Sequence, residues 1–129
     1  MPKIQITSGA KWESIVGYSR AILINNVMEI AGTTAAENGQ VVFPNDAAKQ
    51  TNYILDLFKR ILEENGFGLE DVVRTRIYVT NIQDWQKIGE VHGQYFGDIR
   101  PASTMVEVSA LVDPEMLVEI EATAIRSDK

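Results

Sequence analysis

The stretch VRTRIYVT, residues 73–80, decides the fold because it alternates two kinds of side chain along one segment. Its odd-numbered positions are apolar or small, and most of its even-numbered positions carry arginine or tyrosine. A β-strand points successive side chains to opposite faces of its sheet. This segment is therefore predicted to be a strand whose two faces meet different surroundings.

Two helical segments flank this strand. Asn45 or Asp46 is suited to cap the first helix, and Gly66 is suited to end it. The apolar residues between them recur at helical spacing; they are Ala47, Ile54, Leu55, Phe58, Ile61 and Leu62. A second helix is predicted from about Gln83 to Tyr95, with Trp85, Ile88, His92 and either Tyr95 or Phe96 on its buried side.

The remaining segments read as strands, at residues 3–8, within 14–31, at about 103–111 and at 116–126. Asn25-Asn26 is predicted to form a tight turn inside the second of them. The order is strands, helix, strand, helix, strands, which is typical of an α+β domain with two helices on one sheet. Two helices cover only one face of such a sheet.

Parity divides the strand residues between the two faces. The apolar set predicted to meet the helices is Val73, Ile77, Val79, Val106, Val108, Val118, Ile120, Ala122 and Ala124. The opposite set is Arg74, Arg76, Tyr78, Met105, Glu107, Glu119 and Glu121. This second face is either solvated, with Arg–Glu pairs across strands, or a surface through which subunits associate. The second interpretation is favoured because Met105, Leu111 and Tyr78 would otherwise lie on an exposed sheet.

Length and composition limit the class of protein. The chain has 129 residues, 45% of them hydrophobic and 23% charged, which predicts one globular domain over residues 1–129. It has no cysteine, and this excludes disulfides and thiolate chemistry. The net charge of −6 disfavours nonspecific nucleic-acid binding. No apolar run reaches the roughly 18 residues that span a bilayer, and no signal peptide is recognised, so the expected location is the cytoplasm.

Few residues suggest chemistry by themselves. His92, the only histidine, is predicted to be buried and hydrogen-bonded, and neither a hydrolase triad nor a phosphate-binding glycine motif is present. Glu119 and Glu121 share one strand face about 7 Å apart, where they either hold a water or pair with Arg74 and Arg76. Tyr18 and Arg20, two residues apart, are suited to grip a carboxylate together.

Five segments taken together resemble the RidA family, also called YjgF or L-PSP endoribonuclease-like, whose known members include imine deaminases. These segments follow the family order over nearly the whole chain; they are Gly17-Tyr18-Ser19-Arg20, Ile30-Ala31-Gly32, residues 76–81, Arg100-Pro101-Ala102-Ser103 and residues 117–122. The resemblance implies a chorismate-mutase-like α+β fold with a mixed six-stranded sheet. It also implies a homotrimer with clefts between subunits, packed through the sheet face that the helices leave free.

The resemblance further implies roles for individual residues. Glu119 corresponds to the glutamate proposed to position the attacking water, and Tyr18 and Gly32 correspond to cleft-lining residues. The family's carboxylate-binding arginine, however, is replaced by Ser103, which marks a divergent pattern. We hypothesise that Arg20 supplies the missing positive charge, helped by the hydroxyls of Ser103 and Thr104; a surface arginine paired with a carboxylate is the alternative.

Trp12 has two interpretations, since it either closes the cleft as an aromatic wall or covers a hydrophobic edge.

Three functions follow from the resemblance. The first is hydrolytic deamination of imine or enamine intermediates, without metal or organic cofactor. The second is non-catalytic binding of a small anionic metabolite in the same clefts. The third, an endoribonuclease or translation inhibitor, is disfavoured by the acidic charge balance.

Overall fold

The structure is a computed structural model that describes residues 2–127. The strands are β1 (Lys3–Ile6), β2 (Ala21–Ile24), β3 (Val27–Thr33), β4 (Ala36–Glu37), β5 (Gln40–Val41), β6 (Val72–Val79), β7 (Ala102–Glu107) and β8 (Val118–Ile125). The α-helices are α1 (Lys11–Val16), α2 (Ala47–Glu64) and α3 (Trp85–Phe96). Short 3₁₀ turns precede β6 and α3.

Six of the strands form one sheet in the order β1-β2-β3-β8-β6-β7. Neighbouring strands in this sheet pair antiparallel except β6 and β7, which run parallel and are connected through α3. The helices α2 and α3 pack together over one face of this sheet and enclose the core. The predicted α+β architecture, a mixed six-stranded sheet with two helices on one face, is confirmed.

The helix α2 forms where its sequence pattern places it. The Asp46 side chain accepts a hydrogen bond from the Lys49 N–H at 2.9 Å and caps the helix. Ile54, Leu55 and Phe58 on its inner side are completely buried. Gly66 has φ +81°, a left-handed conformation that glycine adopts without strain, so the chain leaves the helix there.

Residues 14–16 differ from the prediction. They belong to the short helix α1 rather than to an extended segment, and Ile15 and Val16 are 66% and 69% exposed. Gly17, with φ +93°, ends this helix and donates its N–H to the carbonyl of Glu13. A helix this short shows no apolar periodicity, and adjacent apolar residues such as Ile15 and Val16 are also typical of a strand, so the sequence pattern predicted a strand here.

The two sheet faces are largely, but not entirely, those predicted by parity. We call the side of Thr75, Ile77 and Val79 the helix face, and the side of Arg76 and Tyr78 the open face. On β8 the assignment is correct, since Ile120 pairs with Ile77 and Glu119 with Tyr78.

On β7 the predicted faces are reversed. Met105 pairs with Ile77 and lies on the helix face against the core, whereas Val106 pairs with Tyr78 on the open face and is 42% exposed. Glu107 follows Met105 to the helix side, where it accepts a hydrogen bond from the Ile82 N–H. The reason is that β7 is an edge strand with little apolar alternation, so its phase is set by pairing with β6.

Two further predicted core residues are exposed. A register shift between Val72 and Arg74 makes Val72 the core residue at the start of β6 and leaves Val73 42% exposed. Trp85, at the first turn of α3, is 57% exposed. No helix within residues 2–127 combines the length and the apolar character that bilayer crossing requires.

Candidate functional site

The carboxylate of Glu119 is the centre of the candidate site. Glu119 lies on the open face of β8, paired with Tyr78, and its side chain is half-buried. It lies against Gly32, at a point where β3 departs from regular pairing with β8. A Cβ on Gly32 would overlap the Glu119 Oε2 atom, so the absence of a side chain at Gly32 creates the space for this carboxylate.

The surroundings of Glu119 raise the pKa of its carboxyl. Burial is the main cause, the neighbouring Glu121 carboxylate adds to it, and the positive charge of Arg20 partly opposes it. Among residues 2–127, no donor is hydrogen-bonded to the Glu119 oxygens. A half-buried carboxylate with a raised pKa and free oxygens is suited to exchange protons with a bound water.

Arg20 and Tyr18 lie beside Gly32. The Arg20 Nη2 atom donates to the Gly32 carbonyl at 2.9 Å, and the guanidinium carbon lies 5.6 Å from the centre of the Tyr18 ring. The Arg20 Nε is buried and has no hydrogen-bond partner within residues 2–127. The predicted pairing of Tyr18 with Arg20 is therefore present, although it does not arise from strand parity, since β2 begins only at Ala21.

Glu121 differs from Glu119 in having protein partners. It accepts a hydrogen bond from the Tyr78 hydroxyl at 3.1 Å and lies 3.6 Å from the Arg76 Nη1 atom. Arg74 instead donates to the hydroxyl of Thr104 at 2.8 Å. Of the two roles considered for the acidic pair, structural pairing describes Glu121, whereas Glu119 keeps its oxygens free.

Glu13 positions Tyr18, and the sequence analysis did not identify it. Its carbonyl accepts the N–H groups of Gly17 and Tyr18, both at 2.9 Å, and its carboxylate accepts the hydroxyls of Thr7 and Ser8. Glu13 is only 5% exposed. Burial by itself raises the pKa of this carboxyl, but the hydrogen bonds from Ser8 and Thr7 outweigh burial and lower the pKa below its usual value.

A groove of about 500 Å³ runs along the open face beside this cluster. Its lining residues include Gly17, Tyr18, Ala31, Arg76 and Glu121. Trp12 lies on α1 and is half exposed, with the Lys11 ammonium 5.1 Å from its ring centre. Residues 2–127 contain no group of three histidine, aspartate or glutamate side chains arranged to hold a metal ion.

Ser103 and Thr104 lie on opposite faces of β7. Thr104 pairs with Arg76 and points to the open face, together with Arg74. Ser103 pairs with Thr75 on the helix face, where their hydroxyl oxygens are 2.8 Å apart. Thr75 also lies 2.9 Å from the His92 Nε2 atom. The prediction of a hydrogen-bonded histidine is confirmed, with the qualification that His92 is only partly buried.

Comparisons with known proteins agree with this fold. The family described as endoribonuclease L-PSP matches residues 8–126. Over 125 residues the chain is 34% identical to the 3-aminoacrylate deaminase RutC of Acinetobacter baylyi, a match that covers 96% of this chain and 98% of that protein. The chain belongs to the RidA/YjgF family.

Solved structures of RidA/YjgF proteins support the same assignment. Rv2704 of Mycobacterium tuberculosis, described as a member of the YjgF/YER057c/UK114 family, is 47% identical and superimposes with a TM-score of 0.87, covering 97% of this chain and 100% of that one. YyfA of Yersinia pestis, described as a protein of unknown function of the conserved Rid family, is 33% identical with a TM-score of 0.84, covering 97% and 100%.

Proposed function

We propose that this RidA/YjgF protein hydrolyses imine or enamine intermediates and releases ammonia, with Glu119 acting on the water. The observation that carries the proposal is the Glu119 carboxylate, half-buried against Gly32 with a raised pKa and free oxygens. In the reaction, the water oxygen bonds to the imine carbon while Glu119 accepts a water proton. Glu119 gives that proton to the nitrogen, which yields a carbinolamine. It then transfers the proton of the new hydroxyl group to the nitrogen while the C–N bond breaks and the C=O bond forms, so that a carbonyl compound and ammonia leave. An enamine enters the same sequence after tautomerising to its imine.

The raised pKa of Glu119 suits both halves of this reaction. A carboxylate with an ordinary pKa is a weak base and gives back its proton too readily, whereas burial brings the two protonation states closer in free energy near neutral pH. Imines react with water without a catalyst, so placing one water beside the carbon already lowers much of the barrier. The proposal needs no metal or organic cofactor.

The proposed substrates carry a carboxylate. The name of the Acinetobacter relative gives 3-aminoacrylate, an enamine with a carboxylate, as the compound on which that protein acts. In this chain Arg20 lies beside Glu119 and its buried Nε has no partner among residues 2–127. We therefore infer a small anionic ligand held near Tyr18 and Arg20, in the cytoplasm where amino-acid metabolism generates such intermediates.

We also propose that the protein is a homotrimer whose clefts lie between subunits. The helices leave the open face uncovered, and Tyr78, Val106 and Thr104 lie on it. Within one chain, Ser103 lies on the other face from Glu119, so only a second copy can bring a Ser103 to the Glu119 side of the sheet. Sedimentation velocity is expected to give about three times the 14.4 kDa chain mass; a monomer at micromolar concentration would contradict this.

A second candidate function is non-catalytic binding of the same class of metabolite. The observation that favours it is Arg20, which already donates to the Gly32 carbonyl and so has fewer donors to offer a substrate. The net charge of −6 argues against RNA as the ligand of either function, because RNA binding requires phosphate neutralisation.

The deciding experiment measures ammonia release from 2-imino acids generated freshly by an amino-acid oxidase. Wild type is compared with Glu119→Gln and with Glu121→Gln, the matched change two residues away on the same face. Wild type and Glu121→Gln are expected to accelerate hydrolysis, and Glu119→Gln is expected to lose about 100-fold or more. Binding of the keto acid without any acceleration would support the metabolite-binding function instead.

A further inference from the structure

A chain of three hydrogen-bonding side chains runs from α3 to the edge of the sheet. The His92 Nε2 atom lies 2.9 Å from the hydroxyl oxygen of Thr75, and this oxygen lies 2.8 Å from that of Ser103. Thr75 is completely buried, and Ser103 is exposed on the edge strand β7. Ser103 is therefore the most exposed of the three residues, and it lies at the edge of the sheet.

Proton counting leaves two arrangements of this chain. If His92 carries its proton on Nε2, it donates to Thr75, Thr75 donates to Ser103, and the single Ser103 proton is available to a ligand. If His92 carries its proton on Nδ1, every bond reverses, and Ser103 offers a ligand only its lone pairs. The tautomer of His92 thus decides whether Ser103 is a donor or an acceptor.

Burial keeps His92 neutral and makes this choice relevant at neutral pH. Desolvation lowers the pKa of its imidazole below the usual value, and the ring packs against Phe96 with centroids 4.7 Å apart. A neutral imidazole has one donor and one acceptor nitrogen. Hydrogen bonds in series polarise one another, so a Ser103 hydroxyl that already accepts from Thr75 is a stronger donor than an isolated serine.

We propose that His92 and Thr75 are positioning residues that hold the Ser103 hydroxyl as an outward donor to the carboxylate of the ligand. This inference rests on the proposed function for the class of ligand, since a substrate such as 3-aminoacrylate presents an anionic acceptor. Charge-assisted hydrogen bonds are roughly twice as strong as neutral ones. The chain of three residues therefore provides carboxylate recognition without a positively charged side chain at position 103.

The first test needs neither substrate nor turnover. His92 is the only histidine, so ¹⁵N NMR of protein labelled at histidine reports its tautomer without assignment. We expect the Nε2–H tautomer in wild type, with and without pyruvate. An Nδ1–H tautomer, in which Ser103 is an acceptor, would overturn the proposal even if the protein proves to be a deaminase.

The second test measures binding of pyruvate, a carboxylate, and of pyruvamide, its neutral counterpart. Thr75→Val removes the connecting hydroxyl at nearly constant volume, and Thr75→Ser is the control that keeps it. We expect Thr75→Val to weaken pyruvate binding about tenfold, to change pyruvamide binding much less, and Thr75→Ser to retain wild-type affinity. Equal losses for both ligands, or a loss in Thr75→Ser, would overturn the positioning role.

A third readout separates this proposal from the deaminase proposal. In an active protein, Thr75→Val is expected to raise KM for 2-imino acids while kcat changes little, because Ser103 binds the carboxylate and not the reacting carbon. If wild type shows no turnover but the tautomer and the pyruvate preference are as expected, the role of Ser103 in carboxylate binding is supported and only the deaminase function is wrong. Thermal unfolding of each variant verifies that it is folded.

Discussion

The side chains of Gln50 and Glu119 differ in how far the surrounding protein satisfies their hydrogen-bonding groups. Gln50 is completely buried in α2 and uses its whole amide, since it donates to the Phe43 and Glu115 carbonyls and accepts the Leu117 N–H. Glu119 is half-buried and its oxygens accept no hydrogen bond from residues 2–127. A satisfied polar group fixes the structure, whereas an unsatisfied one next to open space is available for chemistry.

Gln50→Leu is expected to give the largest effect, and on stability. The substitution leaves the Leu117 N–H and two carbonyls without their partner, which costs about 3 kcal/mol or more in the free energy of unfolding. Urea denaturation measures it. Gln94→Leu, at an exposed position on α3, is the control and is expected to change stability by roughly 0.5 kcal/mol or less. Similar losses in both variants would remove the contrast.

Gly32→Ala is expected to affect activity and to leave stability nearly unchanged. Gly32 does not have a positive φ, so alanine fits the backbone there, but its methyl group overlaps the end of the Glu119 side chain. The carboxylate then moves aside, and a displacement of about 1 Å costs on the order of 100-fold in rate.

Gly89→Ala is the matched control for Gly32→Ala. A Cβ on Gly89 meets no atom within 4 Å, and the residue lies inside α3. This variant is expected to keep full activity and to be slightly more stable, by about 0.5–1 kcal/mol. Wild-type turnover in Gly32→Ala would show that the position of Glu119 does not matter.

The raised pKa of Glu119 predicts opposite pH dependences for activity and stability. Activity needs the carboxylate and is expected to fall as the pH drops through the raised pKa. Since the folded pKa exceeds the unfolded one, Glu119 contributes stability that is fully present below its unfolded pKa and lost as the pH rises through the folded value.

Arg20→Gln tests the origin of this pKa. Arg20 lowers the pKa of Glu119 through its charge, so the variant is expected to move the acid limb of the pH–rate profile to higher pH. Turnover in both proteins is measured from pH 4 to pH 8, and melting temperatures of wild type and Glu119→Gln are measured over the same range. An unchanged acid limb would show that the charge of Arg20 does not influence the pKa of Glu119.

Glu121→Gln is expected to give the smallest effect. Its ion pair with Arg76 is partly exposed, with side-chain exposures of 42% for Arg76 and 32% for Glu121, and such pairs contribute about 0–1 kcal/mol. The glutamine oxygen still accepts from Tyr78. A loss of more than about 2 kcal/mol in urea denaturation would show that Glu121, like Gln50, is important for stability and is not a weakly coupled surface residue.

Sequence patterns predicted the elements whose residues face one continuous core. The alternation in β6 and the periodicity of α2 each repeat often enough to define a face. They failed for α1, which has too few residues for a period, and for β7, whose phase comes from pairing with β6. The conformation of such short or marginal elements depends on the segments that they contact, and the local sequence pattern does not reveal those segments.

The candidate site was predictable only in part. Glu119, Gly32 and Tyr18 were identified from the family resemblance, and Arg20 from its spacing to Tyr18; all four lie together in the structure. The chain from His92 through Thr75 to Ser103 was not predicted, because it joins residues 17 and 28 positions apart. Glu13 was missed as well, since its role depends on a backbone carbonyl that any residue type would provide.

The attachment of Glu13 to Thr7 and Ser8 has a practical consequence for protein engineering. Thr7 and Ser8, which lie between β1 and α1, are held by that carboxylate, and the backbone carbonyl of the same residue orients Tyr18. A fluorescent reporter or purification tag joined ahead of Lys3 leaves these bonds intact, whereas trimming the chain through Ser8 removes both hydroxyls. Expression vectors for crystallography should therefore keep Thr7 and Ser8, even though both lie outside the helical layer.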